Sequence, residues 1–379
     1  MALKGIKVIE FAGLAPGPFC GMVLADFGAS VIKIDRAGGM EEYDSLSNGK
    51  RSLCVDLKSP EAITILKKLI QKSDVTLEPY RAGVMEKLGL GPQILMQENP
   101  RLIYARLTGY GQSGPYSQKG GHDINYLALS GLLSLFGRKG ENPIFPVNLA
   151  ADFGGGGLMC ALGILLALFE RERTGRGQIV DANMVHGSSY LGSFLYRSQN
   201  MPLIWGNPRG ENLLDSGAPF YEVYKTKDDK FMAVGAIERK FYKDLLLGLG
   251  VSEDDAPQWD FGDRIKELFK VKFLAKTRQE WCQVFEKLDA CVMPVLDLNE
   301  APEHEFNKTN GHFIKVGDIY APKPAPKLSR TPGQSTADLK RPNAGEHTVE
   351  ILEEIGYGGS DIDKLIQDGV AYTEHKAKL

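Results

Sequence analysis

The sequence contains few of the residues that build a metal centre or a disulfide framework. The six histidines form neither an HExxH motif nor a His–Cys cluster. The five cysteines are scattered, odd in number and outside any metal-ligand spacing, at Cys20, Cys54, Cys160, Cys282 and Cys291. We therefore expect no structural metal, and we expect buried free thiols in a reducing compartment.

An excess of one charge is also missing. The 45 basic residues nearly balance the 48 acidic ones, which leaves a formal net charge of −3. The chain thus lacks the global positive field that would hold a nucleic acid or an anionic membrane surface, so neither is expected as a partner. Any anionic ligand must be held by a local cluster of basic residues.

Long apolar runs and nucleotide fingerprints are absent as well. The longest apolar stretch, around residues 158–169, is shorter than the roughly 20 residues that a transmembrane helix needs, so no membrane insertion is expected. Residues 4–11 read as a core strand and not as a secretory signal. The turn at residues 13–18 lacks the glycine pattern of a dinucleotide site, which argues against a dehydrogenase.

The pattern that is present indicates an α/β protein. The 379 residues exceed what one core usually supports, so two domains are expected. Strands alternating with helices predict a parallel sheet covered on both faces, with ligands at the carboxyl ends of its strands. The predicted strands span residues 6–11, 31–34, 53–55, 75–77, 102–107 and 178–181. The predicted helices span residues 21–27, 60–72, 124–135 and 155–173.

Turn-rich sequence after Ser198 indicates a crossing into a second domain. A hairpin is predicted from residues 221–226 and 230–234. Further helices are predicted at residues 240–247, 263–269, 279–288, 346–356 and 361–369. We predict a large domain of residues 1–198 completed by 330–379, a linker at 199–220, a small domain at 221–320 and a return linker at 321–341.

His122 and Asp123 stand between a pair of glycines and a predicted helix. Asp123 suits the N-cap position, where a carboxylate accepts hydrogen bonds from free backbone N–H groups. His122 should then lie over the carboxyl edge of the sheet, and histidine is the side chain that titrates near neutral pH without large perturbation. A surface or capping histidine is the alternative.

Asp152 comes before four consecutive glycines and an apolar helix. It too is a candidate N-cap. Each glycine costs about 1 kcal/mol against alanine inside a helix, so something is expected to approach this backbone closely. The approaching group is either a negatively charged ligand at the helix N-terminus or a neighbouring element of the fold.

Basic residues recur in the first domain. Arg36 follows the second strand and Lys58 follows the third, so both are placed to meet phosphates. A solvated charged surface is the alternative for most of the set, which comprises Lys33, Arg36, Lys50, Arg51, Lys58, Lys87, Arg101 and Arg106.

The chain ends in Ala377-Lys378-Leu379, which approximates the Ser-Lys-Leu peroxisomal address. Such a tripeptide is read by an import receptor and has no role in the fold. A frayed tail is the alternative interpretation. Peroxisomes handle acyl thioesters of coenzyme A, so the tripeptide predicts a peroxisomal location and a chemistry together.

Several strings taken together resemble CoA-transferase family III. They lie at residues 24–35, 56–58, 99–104, 109–115, 121–126, 174–178 and 289–295, so the resemblance covers nearly the whole chain. It implies a Rossmann-like large domain completed by C-terminal residues and a smaller α+β domain joined by long linkers. It also implies an interlocked homodimer, with the active site between the large domain of one subunit and the small domain of the other.

The resemblance also implies roles for single residues. Transferases of the family use an aspartate as nucleophile, whereas its racemases use the matching aspartate as a base and add a histidine. Asp152 matches the aspartate, His122 the histidine, and Glu238 the small-domain glutamate that orients and charge-balances it. For coenzyme A contacts the resemblance points to Arg36, Leu57, Lys58, Lys87 and Tyr126.

The presence of the histidine favours a racemase that interconverts (R)- and (S)-2-methyl-branched acyl-CoA thioesters through an enolate. Backbone N–H groups of residues 152–154 are expected to bind the enolate oxygen. Coenzyme A would be part of the substrate, and no other cofactor is expected. The alternatives are a CoA-transferase that uses Asp152 as nucleophile and a non-catalytic acyl-CoA binding protein. Animal members of the family also occur in mitochondria, and the acyl chain, fatty or sterol-derived, stays open.

Overall fold

The computed structural model describes residues 1–38 and 44–374. The C-terminal tripeptide at residues 377–379 lies outside the described residues. The chain forms two compact units. The first comprises Met1–Ser130, Pro146–Leu191 and the chain from Glu305 onward, and the second comprises Gly131–Phe145 and Gly192–His304.

The strands of the described residues lie in three sheets. Their bounds are β1 Lys7–Phe11, β2 Ser30–Asp35, β3 Arg51–Val55, β4 Val75–Glu78, β5 Ile103–Thr108, β6 Ile179–Asn183, β7 Tyr221–Lys225, β8 Phe231–Gly235, β9 Val292–Pro294, β10 Phe313–Val316, β11 Ile319–Pro322 and β12 Ala371–Tyr372.

The helices alternate with these strands through the first 190 residues. Their bounds are α1 Pro16–Asp26, α2 Pro60–Gln71, α3 Val84–Lys87, α4 Pro92–Glu98, α5 Asp123–Leu129, α6 Met159–Thr174, α7 Met184–Leu191, α8 Ser193–Arg197, α9 Arg239–Leu249, α10 Asp263–Phe273, α11 Arg278–Phe285, α12 Glu305–Asn310, α13 Thr348–Glu354 and α14 Gly359–Gln367.

The large sheet has the strand order β12-β3-β2-β1-β4-β5-β6. Its neighbours from β3 to β6 pair in parallel, and β12 pairs with β3 in the antiparallel sense. The order β3-β2-β1-β4-β5-β6 is that of the Rossmann-type doubly wound sheet, in which ligands bind where the strand order reverses. The prediction of an α/β fold with a parallel sheet is confirmed. The reversal falls between β1 and β4.

The core of the first unit lies against this sheet. β4 and β5 are buried along their whole length, as expected for parallel strands covered on both faces. Helix α2 is amphipathic and buries its apolar face in the core. C-terminal helices α13 and α14 pack into the same core through Ile351, Leu352 and Ile362.

The two units divide the chain at other residues than the predicted domains. Residues 131–145 belong to the second unit, where Arg138 forms an ion pair with Glu222 at 2.8 Å. Residues 305–320, predicted in the small domain, belong to the first unit. The use of residues 199–220 and 321–341 as linkers stays a prediction.

Among the predicted helices, those at 124–135 and 155–173 differ most from the structure. The helix predicted at 124–135 ends at Leu129, because Gly131 adopts a left-handed backbone with φ +79° and a short 3₁₀ turn follows. The helix predicted at 155–173 begins earlier, with a π-helical segment at Leu149–Leu158 that continues into α6. Single turns of π-helix occur often at functional sites.

The helical stretch Leu149–Thr174 is long and apolar enough to cross a membrane by length and composition. The apolar run at residues 158–169 was expected to be too short to span a bilayer. The helix that contains this run is long enough, so that expectation is wrong for the whole helix. Of its most apolar window, 44% is buried inside the protein, and core helices of globular proteins meet the same criterion. Length and composition alone thus give only weak support for a membrane span.

Lys50 and Arg51 are two of the bases for which a solvated surface was the alternative. Both form ion pairs with acids, and Lys50 lies in the interior. Lys50 is buried and donates to both carboxylate oxygens of Glu10, at 2.8 and 2.9 Å, and to the carbonyl of Pro18 at 3.0 Å. These bonds tie β1, the start of α1 and the segment before β3 together. Arg51 pairs with Glu354 of α13 at 2.6 Å. A solvated surface is therefore the wrong reading for Lys50.

The glycines after Asp152 let neighbouring helices approach the π-helical segment. A Cβ on Gly155 would lie 2.5 Å from the backbone nitrogen of Ser188 in α7, and one on Gly157 would lie 2.6 Å from the carbonyl oxygen of Pro16 in α1. From the other side, a Cβ on Gly187 would lie 1.8 Å from the carbonyl oxygen of Gly155. Neighbouring helices, and not a ligand, account for the close approach at these positions.

We expect Gly187→Ala to destabilise the protein. Alanine favours the helical backbone by about 1 kcal/mol. The new methyl group would nevertheless meet a backbone carbonyl that cannot swing away, and overpacking of this kind costs about 1–3 kcal/mol or more. The net loss in the free energy of unfolding should be about 1–2 kcal/mol, measured from the denaturant midpoint.

Gly359→Ala is the matched control, because Gly359 begins α14 and a Cβ there meets nothing within 4 Å. It should leave the midpoint unchanged or raise it slightly. Equal stability of the Gly187→Ala and Gly359→Ala proteins would contradict close packing of α7 on the π-helical segment.

Candidate active site

A cavity opens at the carboxyl edge of the large sheet, where the strand order reverses. It has a volume of about 340 Å³. The loops after β1 and β4 form one side and the segment between β5 and α5 forms another. The residues that line it and could act on a ligand are Tyr80, Arg81, Tyr110, Lys119, His122, Tyr126 and Asp152. The predicted catalytic residues His122 and Asp152 therefore share one cavity.

His122 is fixed at the start of α5. Its backbone N–H donates to the side-chain oxygen of Asn125 at 3.1 Å, and its carbonyl accepts from the backbone N–H of Asn125 at 2.8 Å. His122 itself is the N-cap residue, and Asp123 is the first residue of the helix. The prediction that Asp123 caps this helix is therefore wrong.

Asp123 instead caps the segment that carries Asp152. One carboxylate oxygen, Oδ2, accepts from the backbone N–H groups of Ala151 at 2.7 Å and Asp152 at 2.8 Å. These groups belong to the first turn of the π-helical segment, where backbone donors have no partner within the helix. A single side chain thus joins the starts of two helices that lie 28 residues apart in the chain.

Asp152 is the fourth residue of the π-helical segment, so the prediction that it is an N-cap is wrong. Because its own N–H donates to Asp123, that group cannot also bind an enolate oxygen as expected. An enolate contact by the N–H groups of Phe153 and Gly154, which lie inside the π-helical segment, stays a prediction.

The carboxyl group of Asp152 is half-buried. Its pKa is raised to about 6, first by burial and second by the negative charge of Asp123. A hydrogen bond with Asn148 and the nearby His122 act in the opposite direction. Near neutral pH this carboxyl group is therefore present in both protonated and ionised forms, as a group that serves as acid and base must be.

Tyr126 holds the segment that precedes His122. Its hydroxyl donates to the carbonyl of Gly121, and its ring fits where side chains on Gly109 or Gly121 would not. A Cβ on Gly109 would lie 2.1 Å from the ring, and one on Gly121 would lie 2.7 Å from it. Burial raises the pKa of Tyr126 to about 12, so its hydroxyl remains a donor. Its predicted contact with coenzyme A stays a prediction.

A second cavity of about 180 Å³ adjoins the first, and both share Ala12, Gly13, Leu14 and Tyr80. Two of the predicted coenzyme A residues, Arg36 and Leu57, line this second cavity. Lys58 and Lys87 are exposed, and neither lines the cavities as far as the described residues define them. The structure thus places Arg36 and Leu57 at one cavity, and the contacts of Lys58 and Lys87 with coenzyme A stay predictions.

Two charged clusters near these cavities were missed by sequence reasoning. Lys33 lines the second cavity and pairs with Asp44 at 2.7 Å and Asp35 at 3.1 Å. Beneath the loop after β4, Glu78 accepts from Arg106 Nε at 2.7 Å and from the backbone N–H of Tyr80 at 2.8 Å. Opposite charges at facing register positions, Glu78 and Arg106, were the available signal.

Glu238 lies in the second unit. It is the exposed N-cap residue of α9 and follows β8 after a short turn. His122 and Asp152 belong to the first unit, so the predicted contact between Glu238 and His122 stays a prediction. Within residues 1–38 and 44–374, no group of three or more histidine, cysteine or acidic side chains is placed to hold a metal ion.

Comparisons with known proteins show which family the chain resembles over its full length. The chain is 56% identical to Alpha-methylacyl-CoA racemase of Homo sapiens, over 98% of this chain and 97% of the human protein. It is 55% identical to Alpha-methylacyl-CoA racemase of Mus musculus over the full length of both.

A crystal structure of a CAIB/BAIF family protein from Brucella suis has the same fold, with a TM-score of 0.78 at 22% identity over 93% of this chain and 99% of the other. The sequence profile of CoA-transferase family III matches residues 3–348. The resemblance found in the sequence is thereby confirmed, and this chain belongs to CoA-transferase family III.

Proposed function

We propose that this chain is a racemase that interconverts (R)- and (S)-2-methyl-branched acyl-CoA thioesters. The observation that carries the proposal is the cavity shared by His122 and Asp152, whose carboxyl group has a pKa of about 6. The extensive identity to two proteins named Alpha-methylacyl-CoA racemase supports it. A CoA-transferase, the alternative, would need the Asp152 carboxylate as nucleophile and would leave His122 without a role.

Inversion at C2 requires two groups. The adjacent thioester carbonyl acidifies the C2 hydrogen only modestly, and a single rigid base would return the proton to the face it came from. For the (S)-thioester His122 removes the proton while protonated Asp152 donates one from the opposite face, and for the (R)-thioester the roles exchange. General acid–base catalysis of this kind contributes about 10²–10⁴-fold.

The enolate oxygen that forms between the two proton transfers needs hydrogen-bond donors. The N–H groups of Ala151 and Asp152 already donate to Asp123, so other donors at the cavity must stabilise it. Coenzyme A enters as part of the substrate. The cavity lined by Arg36 and Leu57 adjoins the catalytic one and suits part of the coenzyme A moiety, because a guanidinium group binds phosphate oxygens in pairs.

We further propose an interlocked homodimer. Helix α6 exposes a row of large apolar side chains, with Phe169 79% exposed and Leu162 and Leu166 on the same helix also exposed. Edge strand β6 adds exposed Ile179. Soluble monomers rarely leave a contiguous apolar surface of this kind uncovered, so a second copy is the expected cover. In such a dimer, Glu238 of one subunit would orient His122 of the other.

We propose a peroxisomal location, because the import receptor would recognise the C-terminal tripeptide Ala377-Lys378-Leu379. Mitochondria are a second proposed location, taken from the family resemblance. The chain carrying an N-terminal fluorescent protein should form peroxisomal puncta in animal cells. Deletion of the tripeptide should disperse the signal. Puncta that survive the deletion would refute the role of the tripeptide.

When the protein is incubated with an (S)-2-methylacyl-CoA in D₂O, the C2 hydrogen should be replaced by deuterium and the thioester should epimerise. NMR measures both changes. His122→Ala and Asp152→Ala should each reduce racemisation at least about 10²-fold, since each removes one member of a two-base pair. Either variant can still exchange the C2 hydrogen of one enantiomer, because the remaining catalytic residue can remove the proton from its own side of C2.

The same assay separates the proposal from its alternative. Addition of a free carboxylic acid should yield no new thioester, whereas a CoA-transferase would transfer coenzyme A to it. Absence of both exchange and epimerisation in the unaltered protein would end the racemase proposal. Full racemase activity of His122→Ala would end the two-base scheme.

Glu238→Gln should slow turnover about 10-fold or more without weakening coenzyme A binding, because the amide no longer balances a charged imidazole. If Glu238 acts in the site of the partner, co-expression of His122→Ala and Glu238→Gln chains should restore activity. The heterodimer then contains one site with both native residues. The measurement is kcat of heterodimers isolated through two different affinity tags.

A site built within one chain gives the opposite result, since every site of the heterodimer would lack either His122 or Glu238. Co-expressed chains no more active than the Glu238→Gln homodimer would therefore refute the shared site. The control is co-expression of His122→Ala with Asp152→Ala chains. Both residues belong to the first unit, so that heterodimer should remain inactive.

A further inference from the structure

Asp123 stands between the two proposed catalytic residues and has no role in the scheme above. It is adjacent to His122 in the chain, at the first position of α5. Its side chain is directed to the other catalytic segment, where Oδ2 binds the N–H groups of Ala151 and Asp152. The residue is only 3% exposed. A shift of this carboxylate would therefore move the His122 segment and the Asp152 turn relative to each other.

The second carboxylate oxygen, Oδ1, is unusual. It is buried, and no group among the described residues donates a hydrogen bond to it. Buried polar atoms almost always have a partner, and an unpartnered one in a native protein asks for a reason. Both backbone N–H groups donate to Oδ2, and two such hydrogen bonds do not neutralise the full negative charge of the carboxylate. Much of that charge therefore acts on the surrounding groups.

We propose that Asp123 is a positioning residue of the active site with two effects. Through Oδ2 it fixes the turn that carries Asp152 against the helix start that carries His122. Through its uncompensated charge it favours the protonated form of the Asp152 carboxyl group, which the second proton transfer needs. The inference rests on the proposed function of Asp152 as acid and base.

The surroundings of Asp152 agree with the electrostatic part of the proposal. The titratable or charged side chains that share its cavity are Tyr80, Arg81, Tyr110, Lys119, His122 and Tyr126. Asp123 adds a negative charge from the base of α5 and, after burial, is the main reason for the raised pKa of Asp152. His122 acts in the opposite sense, as a proton-sharing partner should.

Asp123→Asn tests the charge with little change of shape. The amide keeps one oxygen to accept from Ala151 and Asp152 but carries no charge. The pKa of Asp152 should fall. The inactive state in which both His122 and Asp152 are protonated should then form only at lower pH. The acid limb of the pH profile of kcat/KM should move to lower pH by about 0.5–1 unit. At pH 7 the rate should fall about 3–10-fold, because protonated Asp152 becomes scarcer.

The fall should be equal for (R)- and (S)-substrates. The ratio of the two kcat/KM values is fixed by the equilibrium between the free thioesters, which no substitution alters. The pKa that the acid limb of the pH profile reports is a property of the His122–Asp152 pair and not of one residue.

Asp123→Ala tests the position. It removes the acceptor for both N–H groups and frees the Asp152 turn. Misplacement of a catalytic group by about 1 Å costs about 10²-fold in rate, so kcat should fall by that amount while KM changes less than about 3-fold. Asp123→Asn should recover most of this loss, since its oxygen replaces the missing acceptor.

Asp26 supplies the matched control. It is a buried carboxylate of the first unit that also accepts two hydrogen bonds, from the backbone N–H and hydroxyl of Thr336, and it lines neither cavity. Asp26→Asn should alter the thermal midpoint by as much as Asp123→Asn but leave the pH profile of kcat/KM unchanged. The thermal midpoint of each variant shows whether it is folded at the assay temperature.

The outcomes separate this inference from the function on which it rests. An Asp123→Asn enzyme with an unchanged acid limb, beside an inactive Asp152→Ala enzyme, would overturn only the role of the Asp123 charge. Asp123→Ala with unchanged kcat would overturn the positioning role. An active Asp152→Ala enzyme would instead overturn the proposed function and leave Asp123 nothing to position.

Discussion

The close packing of the π-helical segment between α1 and α7 sets the position of Asp152, and the rest of the site depends on it. Gly155 lies against the backbone of α7 at Ser188, and Gly157 lies against the backbone of α1 at Pro16. The segment is therefore held on two sides by backbone, which has little freedom to relax. A carboxylate on a segment held in this way keeps its distance to a neighbouring imidazole, as proton transfer in both directions requires.

Two buried ion pairs lie in the strands and segments next to the site. Glu10 and Lys50 pair beneath the start of α1, and Glu78 pairs with Arg106 beneath the loop after β4. Burial raises the pKa of Glu78 to about 7, and Arg106 acts against this rise. Removal of one partner from such a pair leaves an uncompensated buried charge, which is strongly destabilising. The two pairs thus keep both loops at the strand reversal in place by chemistry that tolerates little substitution.

The alternation of strands and helices in the first 180 residues was readable in the sequence, because each element carries its own periodicity and turn residues. The two helix caps were not. Asp123 and Asp152 each had the local signature of an N-cap, yet Asp123 binds donors 28 residues away and Asp152 lies inside its helix. Local rules cannot weigh a tertiary partner that appears only when the sheet is assembled.

The site was foreseen to a similar extent. The resemblance to a known family placed His122 and Asp152 together, and the structure brings both to one cavity. The four glycines left a ligand and a packed helix equally open, since both require a bare backbone. The fates of Lys50 and Arg106 were hidden because a basic residue at the end of a strand looks the same whether it meets solvent or a buried acid.

Strand β12 closes the edge of the large sheet at β3, although Tyr372 lies 318 positions after its partner Cys54 in the chain. The edge of β3 and the apolar faces that α13 and α14 cover stay open while the second unit is being made. Open edges of this kind are sites of aggregation during synthesis. The nascent chain therefore has a long vulnerable interval before its last residues emerge, and chaperones that shield strand edges should bind it in that interval.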